Sequence, residues 1–138
     1  NAQIPLRGSE YSAGMDLYAC IDSAKDYEVI DPHETEKIGT GIAIETPNGY
    51  FGAVFARSGL ATKVGLAPAN KVGVVDSDYR GEIIVALHNH SDEPQIVRHG
   101  DRIAQLVFIP YLPVYFNEVD ELSETIRGDG GFGSTGSK

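Results

Sequence analysis

The chain has 138 residues and a mass of 14.8 kDa, the length of one ordinary domain with no room for a second independent core. Twenty acidic residues against eleven basic give a formal net charge of −9, which argues against general DNA or RNA binding, since that needs a basic footprint to release counterions from phosphates. No apolar run approaches the ~18 residues of a membrane span, Asn1 to Glu10 carries no basic-then-apolar signal pattern, and Cys20, the single cysteine, suits a reducing intracellular compartment such as the cytoplasm.

The 16 glycines and 7 prolines are spread along the chain and punctuate many short strands, so the expected class is all-β. Met15 to Ala19 fits a half-buried strand with Met15, Leu17 and Ala19 on one face. Gly41 to Glu45 places Ile42 and Ile44 on one side. Thr46-Pro47-Asn48-Gly49 then turns the chain so that Tyr50 to Phe55 runs back as its partner. Ser58 as N-cap, Gly59 to Val64, and Gly65 as a left-handed stop predict one short helix. Strands follow at Val72 to Val75, Glu82 to Leu87, Gln95 to Val97 and Arg102 to Ile109, separated by turns at Asp76 to Gly81, His90 to Pro94 and His99 to Asp101. Pro110 and Pro113 disfavour a central strand beyond that point. Roughly ten short strands in about 120 residues predict a sandwich, barrel or jelly roll. Its strand edges would be covered by assembly. Residues 127–138, RGDGGFGSTGSK, are too glycine-rich to fold alone and form a flexible C-terminal arm on a β-domain of residues 1–126.

Three familiar patterns do not hold. The arm matches G-x-G-x-x-G from Gly128 and again from Gly131, but only two residues follow Gly136, so no Rossmann helix can open there. Asp76 to Gly81 begins like a calcium loop, yet Arg80 and Leu87 stand where ligands belong. His88-Asn89-His90 puts two imidazoles on one strand face, with His99 a candidate neighbour. With no fourth ligand at suitable spacing, hydrogen-bonded histidines at a strand end are expected instead of a metal site.

Three arrangements do suggest a phosphorylated ligand. Ala56-Arg57-Ser58-Gly59-Leu60-Ala61 sets an arginine and a hydroxyl at a helix start, where N–H groups and the dipole favour an anion. The turn Gly73 to Gly81 carries a carboxylate and an aromatic ring between two apolar strands, and its backbone could read the edge of a planar base. In the arm, Arg127, Phe132, Ser134 and Thr135 are separated by glycines, so a ring could stack on Phe132 while the arginine and hydroxyls hold phosphates.

These segments, with Ala13-Gly14-Met15-Asp16-Leu17-Tyr18-Ala19 and Gly100-Asp101-Arg102-Ile103-Ala104-Gln105-Leu106, closely resemble, in order, the five motifs of the trimeric deoxyuridine triphosphate nucleotidohydrolases (dUTPases). The resemblance spans Ala13 to Gly136; Ala56 departs from the proline many members carry before Arg-Ser-Gly. It implies a jelly-roll-like distorted β-barrel with one short helix. It further implies a homotrimer whose active sites lie at subunit interfaces, each closed by a C-terminal arm, and hydrolysis of dUTP to dUMP and pyrophosphate by in-line attack of water on the α-phosphorus. That reaction keeps uracil out of DNA and supplies dUMP for thymidylate synthesis. By resemblance Asp76 holds the attacking water as general base, mainly by positioning it. Mg²⁺ is carried by the substrate phosphates and water, with no protein ligand. Arg57, Ser58, Gly59 and Gln105 contact the phosphate chain. Arg127, Ser134 and Thr135 grip the γ-phosphate, Gly133 is a further substrate contact, and Phe132 covers the uracil. Tyr79 packs against the deoxyribose; Asn70, Val72, Gly73 and Val75 hold the base; Asp16 and Asp101 support the site. A dCTP deaminase of the same fold and a non-catalytic nucleotide-binding regulatory trimer are the alternatives. The Asp-Ser-Asp-Tyr stretch fits the dUTPases better than the former.

Overall fold

The computed structural model describes residues 1–132 and is built of ten strands, all paired antiparallel: β1 (Leu6–Arg7), β2 (Met15–Tyr18), β3 (Tyr27–Ile30), β4 (Thr35–Gly39), β5 (Tyr50–Phe55), β6 (Leu66–Pro68), β7 (Gly73–Val75), β8 (Ile84–Asn89), β9 (Gln95–Arg98) and β10 (Arg102–Pro110). They form a five-stranded sheet in the order β1-β2-β10-β5-β7, a three-stranded sheet β4-β8-β6 and a two-stranded sheet β3-β9. The all-β, jelly-roll-like expectation holds, with the distorted barrel made of three open sheets. Alternation explains the inner faces: along β8 the buried Val85, Leu87 and Asn89 alternate with more exposed Ile84, Ala86 and His88. One core joins all three sheets, with Leu17, Val54 and Leu106 from the large sheet, Ile38, Leu66 and Leu87 from the second and Ile30 and Val97 from the third.

A β-bulge sits at the start of β10. Arg102 faces Tyr18 while Ala104 already faces Leu17, so one residue is extra on the β10 side. Consecutive residues Ile103 and Ala104 are consequently both buried, at 1% and 0% exposure.

Gly41 to Glu45 is not a ladder strand, although Ile42 and Ile44 do point inward as their alternation suggests. The segment is tied to the second sheet's approach by Ile83 N–H donating to Ile42 O (2.8 Å), and β5 pairs with β10 and β7 instead. The Pro47–Gly49 turn forms, with Tyr50 N–H donating to Pro47 O and Gly49 at φ 87°. The long apolar strand begins at Ile84 rather than Glu82, since Glu82 turns its carboxylate to the Gly41 N–H (2.7 Å). The short helix is a π-type turn, Leu60–Val64, closed by Gly65 at φ 82°. Ser58 does not cap it: no side-chain capping bond closes the start, and Thr62 Oγ1 donates back to Ser58 O (2.7 Å). Among the described residues no helix is long and apolar enough to cross a membrane.

Candidate functional site

Two clefts carry the predicted residues. The smaller, about 220 Å³, opens between β7 and β8, where Asn70, Gly73, Val75, Asp76 and Tyr79 line it together. The local sequence makes this shape. Gly73, Val74 and Val75 pair with Val54, Ala53 and Gly52 of β5, and the chain then turns at Asp76, whose carbonyl accepts from Tyr79 N–H (3.2 Å). Tyr79 lies back over Gly81, where any Cβ would collide with its ring, and its hydroxyl donates to Glu82 O (2.9 Å). Arg80 fastens the same turn by donating to Ser77 O (2.7 Å) and Tyr79 O (3.2 Å). Asp76 is exposed at the rim, whereas Val75 is in the core, so Val75 can offer a ligand only its backbone. Val72 is exposed beside this cleft and does not line it.

The larger cleft, about 520 Å³, is walled by the 8–14 loop, β2, the 55–59 segment and β10, with Asp16, Arg57, Ser58, Gly59, Arg102 and Gln105 on its surface. Asp16 is its electrostatic centre. Its Oδ1 accepts from Arg57 Nε (2.9 Å) and its Oδ2 from Arg102 Nη1 (3.4 Å), while Arg57 Nη1 donates to the Arg102 carbonyl (3.1 Å). One carboxylate thus holds two guanidiniums, and the three groups leave one net positive charge in a partly screened cleft, an environment suited to an anion. Gln105 Nε2 donates to Ala56 O (2.9 Å), and its Oε1 lies so close to Gly14 that a Cβ there would have to displace the amide. Loop 8–14 is held by the Arg7 guanidinium on Ser12 O and by the paired Ser9 and Ser12 hydroxyls (2.7 Å).

The two clefts share no lining residue, so within one chain the structure gathers the expected base and phosphate contacts separately. Asp101 lines neither; its carboxylate accepts from Arg98 N–H (2.8 Å) and closes the turn before β10. Arg127 and Phe132 also lie apart from both clefts. Arg127 Nε donates to Gly130 O (2.8 Å), and Phe132 is fully exposed. Gly133, Ser134 and Thr135 lie outside the described residues. His99 does not join His88 and His90, because its Nδ1 sits 3.2 Å from both Ile21 N and Ile21 O. Sequence reasoning missed Arg102 and Gly14 as members of the site. Both stood inside quoted motifs, but their partners are distant in the chain and only the strand register brings them together.

The family model for dUTPase matches residues 1–136. The chain is 54% identical over 135 residues to the deoxyuridine 5'-triphosphate nucleotidohydrolase of Desulfitobacterium hafniense, covering 97% of this chain and 87% of that one. It is 49% identical over 138 residues to the enzyme of that name from Escherichia phage T5, covering 98% and 93%. The fold superposes on the dUTPase of Staphylococcus bacteriophage 80alpha, solved with dUpNHpp, with a TM-score of 0.82 at 28% identity over 98% of this chain and 92% of that one. Two clefts assembled from the ordered motifs, a matching fold and relatives near half identity over almost the whole length agree, and the chain belongs to the dUTPase family.

Proposed function

We propose that this protein hydrolyses dUTP to dUMP and pyrophosphate, with the β7 turn binding the nucleoside and the Asp16–Arg57–Arg102 cleft binding the phosphates. The observation that carries this reading is the convergence of Asp76, Tyr79 and Asn70 on one small cleft beside the β7 backbone. A pocket of about 220 Å³ suits a single pyrimidine and its sugar, and Asp76 stands at its rim, where a water could be held for attack. Tyr79 is fixed over Gly81 and bonded to Glu82 O at this cleft, and in this reading it packs against the deoxyribose and leaves no room for a 2′-hydroxyl. Arg57 uses two of its five N–H donors on Asp16 and the Arg102 carbonyl, so it arrives oriented, and Ser58 and Gly59 are exposed beside it.

Mg²⁺ fits as a substrate-borne ion. Mg²⁺ usually keeps several waters and takes few protein ligands, so the substrate phosphates and water are its expected ligands. When bound it neutralises charge on the phosphate chain; the protein's own part is to align that chain and the attacking water.

The separation of the two clefts supports a homotrimer in which the nucleoside half of one copy faces the phosphate half of another. Exposed apolar side chains support it as well. Val74 (62%) and Ile84 (51%) flank the small cleft, and Leu112, Val114, Tyr115, Phe116 and Leu122 stand in solvent after β10. Residues 127–138 act as the arm that closes each site, bringing Arg127, Phe132, Ser134 and Thr135 to the ligand.

Product analysis with dUTP, dCTP, dTTP and UTP, each with Mg²⁺, tests the reading. Pyrophosphate and dUMP should form from dUTP alone, and Asp76→Asn should lower turnover by about 10²-fold or more without weakening dUTP binding comparably. Ammonia from dCTP would assign the deaminase chemistry instead, and dUTP binding without turnover would leave a regulatory binding protein.

A further inference from the structure

The end of β8 carries a pair of imidazoles that the nucleotide site does not use. His88 is the fifth residue of β8 and His90 follows the strand's last residue, so their spacing of two puts both on one face. Asn89 between them is fully buried and anchored from both ends. Its Nδ2 donates to Ile30 O (2.9 Å) and Glu93 O (2.8 Å), and its Oδ1 accepts from Ser91 N–H (2.9 Å) and Ser91 Oγ (2.7 Å). The backbone is equally fixed, with Asn89 N–H on Glu34 O (3.0 Å) and His90 N–H on Gly65 O (2.8 Å). Two rings therefore project from a support that cannot easily separate them. Their centres are 4.5 Å apart and their planes meet at 66°.

We propose that His88 and His90 form a two-point chelate for a divalent transition ion of tetragonal preference, Cu(II) ahead of Ni(II) and Zn(II), with water completing the coordination. Metal–imidazole nitrogen bonds of about 2.0 Å put each ring centre about 3.2 Å from the ion. Centres about 4.5 Å apart then correspond to cis ligands near a right angle, whereas a tetrahedral angle needs about 5.2 Å. Turning a His90 nitrogen toward the ion requires only rotation about Cβ–Cγ, a broad torsion whose axis runs through the ring and leaves its centre nearly in place, while His88 keeps its bond to Thr35. Thr35 Oγ1 lies 2.9 Å from His88 Nδ1; accepting a proton from it would fix the tautomer with Nε2 free for metal. Among the described residues no third protein ligand is placed to help, so the site is one of moderate affinity. His33 is engaged elsewhere, with Nε2 3.0 Å from Asp92 Oδ1. Mg²⁺, which takes oxygen ligands, does not compete.

The test is titration of the full chain near neutral pH with Cu(II) alone, followed by calorimetry and electron paramagnetic resonance, with thermal midpoints confirming that each variant is folded. One ion should bind with nitrogen hyperfine structure from two imidazoles. His88→Gln and His90→Gln should each lower affinity by about tenfold or more, Thr35→Val by less, and His33→Gln within about twofold. The proposal is overturned if the His88→Gln/His90→Gln double variant binds as tightly as the unmodified chain, if His33→Gln loses as much as His90→Gln, or if Zn(II) binds more tightly than Cu(II).

Discussion

Asp16 accepts from Arg57 through one oxygen and from Arg102 through the other, and it is only 16% exposed. Asp16→Asn removes the charge that both guanidiniums share and leaves them facing each other across a partly buried cleft. The change should cost about 1–3 kcal/mol of stability, read as a shift of urea midpoint at constant m-value, and should raise the KM for dUTP, because Arg57 loses its orientation. Thr46 offers the opposite case. It is 4% exposed and its hydroxyl has no hydrogen-bond partner among the described residues. Thr46→Val keeps the shape and removes an unsatisfied buried group, so a gain of about 1 kcal/mol in the same urea experiment is expected, with activity unchanged. Residues of this kind differ in how far the sequence discloses them. Asp76 and Tyr79 lie three apart in one turn and were legible as a unit. The Asp16–Arg57 and Asp16–Arg102 bonds join positions 41 and 86 residues apart, and nothing local in the chain announces them.

β2 and β10 show how elements place such residues. Gln105 pairs with Asp16 on one side and with Phe55 on the other, which puts its amide against Ala56 O and against Gly14. Gly14→Ala would push Gln105 Oε1 away and break the hydrogen bond from Gln105 Nε2 to Ala56 O. The expected outcome is a fall in kcat/KM for dUTP of about 10- to 100-fold with little change in thermal midpoint, since the displaced atom is the end of a flexible side chain. Alternation made β8 and the inward Leu17 and Ala19 readable, and Gly65 announced its left-handed stop. β1, β3, β4 and β6 escaped notice for a physical reason. They are two to five residues long, and β4, Thr-Glu-Lys-Ile-Gly, buries only Ile38, so its strand character comes from pairing with β8 rather than from its own pattern. Gly41 to Glu45 is the converse, an alternating sequence without a ladder. The β10 bulge was equally hidden, yet it matters to the site. Residues three apart on a regular strand face opposite ways, and the extra residue at Ile103–Ala104 is what lets Arg102 and Gln105 open onto the same cleft.

For the whole molecule, a chain of net charge −9 must receive a polyanion, and it sets two of its arginines, Arg57 and Arg102, in one cleft while leaving apolar surface beside another. That apolar surface supports the assembly proposed above, whose trimeric form is what the family resemblance implies. The division of each chain into two clefts with no residue in common then has a genetic consequence. Asp76→Asn destroys only the nucleoside half, and Arg57→Ala only the phosphate half, so each homotrimer is dead for a different reason. Refolded together in equal amounts, the two defective chains should complement one another. A site at a cyclic interface is intact when a chain with a sound nucleoside half meets one with a sound phosphate half, which random assortment achieves at about one interface in four. Recovery of about a quarter of the normal dUTP turnover from two inactive proteins would mean that the complete enzyme is a property of neighbours, and that each polypeptide encodes two complementary halves of sites it never assembles alone.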